Sequence, residues 1–180
     1  MREFLRRGGW VFLAVLFIVT ALGVGIYAFV ENTKDSSNSS NYIACTQKKV
    51  GEQKKAKNGK YEGAKLVDFT PVKHIDYIRC QDSKIGTGAT AAASSTITVI
   101  YTGALAKDGK IFESSLDSGQ PLTQALSGLI PGWQDGIPGM KVGGQRRIFI
   151  PAQYAYGDVA AGKIPANSDL VFDVTLLAVK

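Results

Sequence analysis

Residue types that ordinarily do chemistry are scarce in this chain, and their spacing removes most reactions before any fold is considered. His74 is the single histidine among 180 residues and stands well upstream of the segments described next, so a Ser-His-Asp or Cys-His site finds no support there and His74 reads as a surface residue. Cys45 and Cys80, 35 positions apart and joined by one His, do not have the spacing of zinc ligands, and neither metal nor cofactor is expected. Gly86-Thr-Gly-Ala-Thr-Ala91 imitates a dinucleotide fingerprint, but no buried strand precedes it and a strand, not a long helix, follows. Gly103 to Lys110 misses the phosphate-loop spacing by one residue. What remains is aromatic: Tyr101, Phe112, Trp133, Tyr156 and Phe172. Aromatics on strands are ordinarily core. Here, however, Trp133 sits in Pro-Gly-Trp between helix breakers and Tyr156 precedes a glycine, which together point to a pocket. Such a pocket can act by shape, dryness and a few hydrogen bonds.

The aromatics lie in a series of marked segments: Val99-Ile-Tyr-Thr-Gly103, Asp108-Gly-Lys-Ile-Phe-Glu-Ser-Ser115, Leu129-Ile-Pro-Gly-Trp133, Gly139-Met-Lys-Val-Gly143, Tyr154-Ala-Tyr-Gly157, Ile164-Pro165 and Leu170-Val-Phe-Asp-Val174. From about Gly86 to Val179 the series resembles the FKBP-type peptidyl-prolyl cis-trans isomerases. The resemblance implies a twisted antiparallel sheet curled around one short helix, and proline-containing polypeptides as substrates. It also implies roles. Tyr101 and Phe112 match wall positions, and Leu129 and Ile130 fall in the stretch whose backbone hydrogen-bonds a ligand. Trp133 matches the indole floor, Tyr156 the phenol that hydrogen-bonds a ligand carbonyl, and Ile164 and Phe172 the rest of the apolar wall. Glu113 and Leu122 match two further binding positions with departures: the family usually has Asp at the first and commonly an aromatic near the second. The Arg that often pairs with that Asp has no equivalent in Leu116-Asp-Ser-Gly119. The floor is intact and the polar rim altered, so isomerisation is expected and tight binding of the family's macrolide ligands less so.

The implied reaction suits an apolar site. Rotation about an Xaa-Pro bond makes and breaks no covalent bond, and its barrier of ~18–20 kcal/mol is lost amide resonance. The twisted transition state is less dipolar at the amide than the planar ground state, which water stabilises. A dry pocket therefore lowers the barrier without an acid or base. Two rival readings stay open: a proline-segment binding module or holdase using the same pocket without turnover, and an envelope protein whose Lys-rich stretch is the working part.

The elements that must position these residues are short. Thr96 to Tyr101 alternates, with Ile97, Val99 and Tyr101 on one face, and a Lys107-Asp-Gly-Lys110 turn returns the chain as a hairpin into Ile111-Phe112. Gln145 to Ile150 and Asp169 to Val179 read as strands, the latter with Leu170, Phe172, Val174 and Leu176 on one face. Asp82 to Gly88 reads as a turn-rich connection. Gly132 to Met140 can make only a short helix, because Gly136, Pro138 and Gly139 prevent extension. The expected class is α+β.

Upstream, Trp10 to Val30 is an uncharged apolar run of 21 residues, enough to cross a bilayer as a helix. Arg2, Arg6 and Arg7 precede it, so residues 1–9 are expected in the cytoplasm and everything after residue 30 outside, in a single-pass plasma-membrane protein. A cleaved signal peptide competes with the anchor, since Ala21-Leu-Gly23 has small residues at a peptidase's spacing. Residues 31–65 read as a polar, Lys-rich stalk and residues 66–180 as the catalytic domain. The net charge of +6 is concentrated between Lys48 and Lys65, which carry +5, whereas residues 84–180 carry +1. No nucleic-acid groove is implied. Outside the cytoplasm, an even cysteine count predicts a Cys45–Cys80 disulfide, with two reduced thiols as the alternative.

Overall fold

Apolar residues on both faces of three strands dictate a sheet covered on both sides. A computed structural model of the protein describes residues 45–180. The expected cytoplasmic tail (1–9), anchor (10–30) and first part of the stalk (31–44) lie outside the described residues. Among the described residues no helix is long and apolar enough to cross a membrane.

Seven strands form one sheet: β1 (Thr46–Gln47), β2 (Arg79–Lys84), β3 (Thr96–Leu105), β4 (Ile111–Ser114), β5 (Leu122–Ala125), β6 (Gln145–Ile150) and β7 (Leu170–Val179). The order is β1-β2-β6-β7-β3-β4, with β5 also on β3. All pairs are antiparallel except β1 with β2. The expected turn-rich connection at Asp82 is instead the end of β2, because Asp82 pairs across β6 with Arg146, and only Ser83 bulges out of the ladder. Helix α2 (Pro131–Gly136) is the short helix expected from the glycines, and one further turn, α1 (Ser115–Ser118), follows β4. Pro131 opens α2, where its missing N–H is no loss.

Strand alternation divides the core. Ile148, Ile150, Leu170, Phe172 and Val174 face α2 and join Trp133 and Ile137. Their neighbours Phe149 and Val171 point the other way, into a second cluster with Leu66, Ile75 and Ile111. Two adjacent arginines on β6 follow the same alternation. Arg146 lies on the α2 side, where it grips both oxygens of Asp82 at 2.7 and 3.0 Å and donates to the Gly136 and Pro138 carbonyls that end the helix. Arg147 lies on the opposite side, gripping Asp173 at 2.6 and 2.8 Å and donating to the Val67 and Asp68 carbonyls. Each guanidinium thus fastens one layer to the sheet.

Residues 45–65, which read as stalk in the sequence, are bonded to the body within the described residues. Cys45 and Cys80 form the expected disulfide, with Cα atoms 4.6 Å apart. From there residues 45–65 run as a strap held by side chains. Gly51 N donates to Asp68, Val67 N to Gln53, and Tyr61 N and Glu62 N to the two oxygens of Asp117. Gly63 N and the Ala64 carbonyl pair with Ile111. Lysine-rich composition reads as a solvated tether, but the backbone and the few non-lysine side chains make these contacts, which composition cannot register.

Removing Arg146 leaves the Asp82 carboxylate and two helix-end carbonyls without their donor. Arg146→Met is expected to lower unfolding free energy by about 2–4 kcal/mol, read from urea denaturation, with Asp82 only partly rehydrated. Arg146→Met combined with Asp82→Leu should recover part of that loss.

Candidate active site

The aromatic site depends first on a residue without a side chain. A Cβ on Gly103 would lie 2.6 Å from Phe112 Cζ and 2.7 Å from Phe172 Cε1, so the two rings close over the bare backbone of β3. The β3–β4 register gives Phe112 its aim. Ile111 pairs with Ala104 and Glu113 with Gly103, leaving Phe112 as the extra residue of a bulge. The bulge lets Ile111 enter the rear cluster while Phe112 turns to the front.

Four of the expected residues meet ring to ring. Trp133 stands edge-on to Tyr101 at 5.5 Å and to Phe172 at 5.3 Å, Phe112 is edge-on to Phe172 at 5.8 Å, and Tyr101 is tilted against Phe172 at 6.4 Å. Edge-to-face contacts suit the ring quadrupoles and fix orientation as well as burial. Trp133 is 3 % exposed, because Gly132 and Gly136 let α2 settle directly onto Ile150 and Ile148. Ile164 is buried in the same cluster, and Leu129 and Ile130 are half-buried against it. Leu122, on β5 opposite Val99, is partly buried against the same cluster.

The polar rim comprises Tyr101, Glu113 and Tyr156. Tyr101 donates its phenol hydrogen to the exposed Glu113 carboxylate. Burial first, then that hydrogen bond and the neighbouring Glu113 charge, push its pKa well above the ordinary 10. Tyr156, 42 % exposed, is also raised, by desolvation and then by Glu113. Both phenols are neutral donors throughout the neutral range. Tyr156 is carried on a turn that Gly157 makes possible at φ +62°, with Gly157 N bonded to the Ala152 carbonyl. Asp169 holds the start of that turn by accepting from Ala152 N at 2.8 Å.

Backbone groups complete the site. Gln134 donates to the Leu129 carbonyl at 2.7 Å, and the Ile130 carbonyl receives the Trp133 N–H. Among the described residues no protein acceptor meets the Ile130 N–H, which is therefore available to a ligand carbonyl. Ser115 clamps Tyr101 by accepting from its N–H at 2.9 Å and donating to its carbonyl at 3.3 Å. Neither Ser115 nor Gln134 was distinguishable in the sequence from ordinary turn residues. Gly103 ends the Val99–Gly103 segment, and the reason for a glycine there is the approach of two rings.

The site is thus a buried aromatic floor with neutral phenol donors at its rim. The family model for FKBP-type peptidyl-prolyl cis-trans isomerases matches residues 88–177, half of the chain, and the chain belongs to that family. It is 43% identical over 137 residues to the FKBP-type isomerase FkpA of Aeromonas hydrophila, covering 76% of this chain and 48% of the relative. It is 42% identical over 131 residues to FK506-binding protein 4 of Aspergillus fumigatus, covering 72% and 26%. The crystal structure of FkpA from Escherichia coli superposes with a TM-score of 0.53 at 44% identity, over 56% of this chain and 47% of that one. A peptidyl-prolyl isomerase structure from Pseudomonas syringae gives 0.53 at 35% identity, over 61% and 80%. The chain therefore spans about half the length of FkpA and about a quarter of the fungal protein.

Gly103→Ala should displace Phe112 or Phe172 and cost about 1–3 kcal/mol in urea denaturation. Trp133→Ala should cost about 3–5 kcal/mol and abolish binding of a proline-containing ligand, measured by calorimetry.

Proposed function

We propose that this protein accelerates cis–trans isomerisation of Xaa-Pro bonds in exported polypeptides. The observation that carries the reading is the buried Trp133 floor beneath two unspent donors, the Ile130 N–H and the Tyr156 phenol, in a chain of the isomerase family. The proline ring rests on Trp133 between Tyr101, Phe112, Ile164 and Phe172. The Ile130 N–H and Tyr156 hold backbone carbonyls on either side of the rotating bond, and Leu129 and Leu122 extend the apolar contact. Withdrawal of the planar amide from water lowers the barrier, and each ~1.4 kcal/mol removed gives about tenfold in rate. Glu113 accepts the hydrogen bond of the Tyr101 phenol. A macrolide ligand of the family would meet the same floor but a rim altered at Glu113, so tight binding of it is not expected.

The site of action is the outer face of the plasma membrane, with residues 10–30 as a single-pass anchor and the body beyond it. The Cys45–Cys80 bridge supports this placement, since such bonds persist in oxidising compartments. Uncatalysed prolyl exchange takes ~10–100 s at 25 °C, long enough to delay folding of an emerging chain.

Residues 45–180 should accelerate exchange in a peptide with an apolar residue before proline, followed by NMR line exchange without a coupled protease. Binding without acceleration would reassign the pocket to a holdase or binding module. The rate should be flat through neutral pH. Because folding raises the Tyr101 pKa above its ordinary 10, the neutral phenol's contribution is complete below pH 10 and is lost only as pH rises beyond it. A steep neutral-pH dependence of the chemical step would rule out this mechanism. For placement, a reporter joined after Lys180 should be active only outside the cytoplasm, and cytoplasmic activity would overturn it.

A further inference from the structure

The strap carries a concentration of charge that the catalytic reading does not use. Lys48, Lys49, Lys54, Lys55, Lys57, Lys60 and Lys65 are all exposed, against Glu52 and Glu62. Among the described residues none of the seven lies within salt-bridge distance of a carboxylate, although Lys60 and Lys55 help hold Asp117 ionised and Lys55 stands 5.4 Å over the Tyr61 ring; Glu62 is taken by Lys163 of the Gly157–Ile164 loop. Nor are these lysines on a free tether. The disulfide pins one end of the strap, Gly51 and Gln53 tie its middle to Asp68, Lys65 and Val67, and Asp117 holds Tyr61 and Glu62. A cationic surface fixed in this way loses little conformational entropy on meeting an anionic one.

The path of the strap decides which way that surface faces. It starts beside β2 at Thr46 and Gln47 and ends beyond β4, where Lys65 stands opposite Lys110. Between these edges Val50, Glu52 and Gln53 border a cavity of about 230 Å³ with Thr102, Arg147, Asp173 and Thr175. Arg147 and Asp173 alternate along their strands with Ile148 and Phe172, which face α2. The first part of the strap, from Thr46 to Gln53, therefore crosses the sheet face opposite the one on which Trp133 packs, and the second part passes beside α1, where Asp117 holds Tyr61 and Glu62.

We infer that the strap is a docking surface for the anionic phospholipid headgroups of the membrane in which residues 10–30 are anchored; this rests on the anchor reading above. Fourteen residues separate Val30 from Cys45, a reach of at most about 50 Å, so the strap is confined near that bilayer. Each basic residue held at an anionic leaflet strengthens attachment about fivefold, and tethering makes the encounter intramolecular. Docking through the rear face leaves the Trp133 side turned toward arriving chains.

The full chain is reconstituted into vesicles of phosphatidylcholine alone or mixed with phosphatidylglycerol, pulsed with an amine-acetylating reagent and read lysine by lysine by mass spectrometry. The seven strap lysines should acetylate at least about threefold more slowly in the anionic vesicles, while Lys141 and Lys180 change little and high salt removes the difference. Replacing Lys54, Lys55, Lys57 and Lys60 by Gln should remove the protection of Lys48 and Lys49 and leave isomerisation unchanged. Equal acetylation in both vesicles, in a chain that resists carbonate extraction, overturns the docking surface and keeps the anchor. Protection in a chain that carbonate strips away overturns the anchor and keeps the surface, whereas a stripped, unprotected chain overturns both. If the vesicles make no difference but soluble poly-glutamate protects the strap, the partner is an acidic polypeptide and the lipid assignment is wrong.

Discussion

The rest of the structure depends on the need to bury both faces of β6 and β7. A strand with Ile148, Phe149 and Ile150 in succession has no face to give to water, so the chain must supply two covering layers. The helix α2 supplies one and the segment from Ala64 to Ile75 the other. The adjacent arginines make the layers specific. Arg146 binds the carbonyl end of α2 and Arg147 the carbonyls of Val67 and Asp68, and each is paired with a carboxylate that keeps its buried charge affordable.

The site is a by-product of that layering. Because α2 must lie against β6, its glycines face Ile148 and Ile150, and Trp133 is driven into the space that the sheet leaves between β3, β4 and β7. Gly103 and the Phe112 bulge empty that space of backbone-attached bulk and fill its wall with ring edges. The floor is therefore as rigid as the core it belongs to, while the rim, with exposed Glu113 and half-exposed Tyr156, stays in contact with water. Burial below and solvent above therefore meet at the same four rings.

The strap changes what the body presents. Reading residues 45–65 as a tether would leave the rear of the sheet beside β2, β6 and β3 open, but the chain crosses it with backbone hydrogen bonds and a covalent bridge. Its lysines are then held as a surface and not dispersed along a coil, and the strap also reaches the pocket's neighbourhood through the Glu62 pair with Lys163.

Much of this was legible in the residues. Periodicity of two marked β3, β6 and β7, and glycine and proline limited α2 to a short helix, since both are local steric facts. The even cysteine count allowed the Cys45–Cys80 pair, which the fold then closes, and the spaced aromatics announced the family. Other features were decided only in three dimensions. The parallel pairing of Thr46 and Gln47 with β2 and the seating of the strap on Asp68 and Asp117 join residues far apart in the chain, while the bulge at Phe112 and the clamp of Ser115 on Tyr101 depend on a hairpin register that side-chain polarity does not specify. A sequence pattern reports which side chains avoid water, because that preference belongs to each residue alone. Which donor meets which acceptor is a property of pairs, and only the folded chain brings those pairs together.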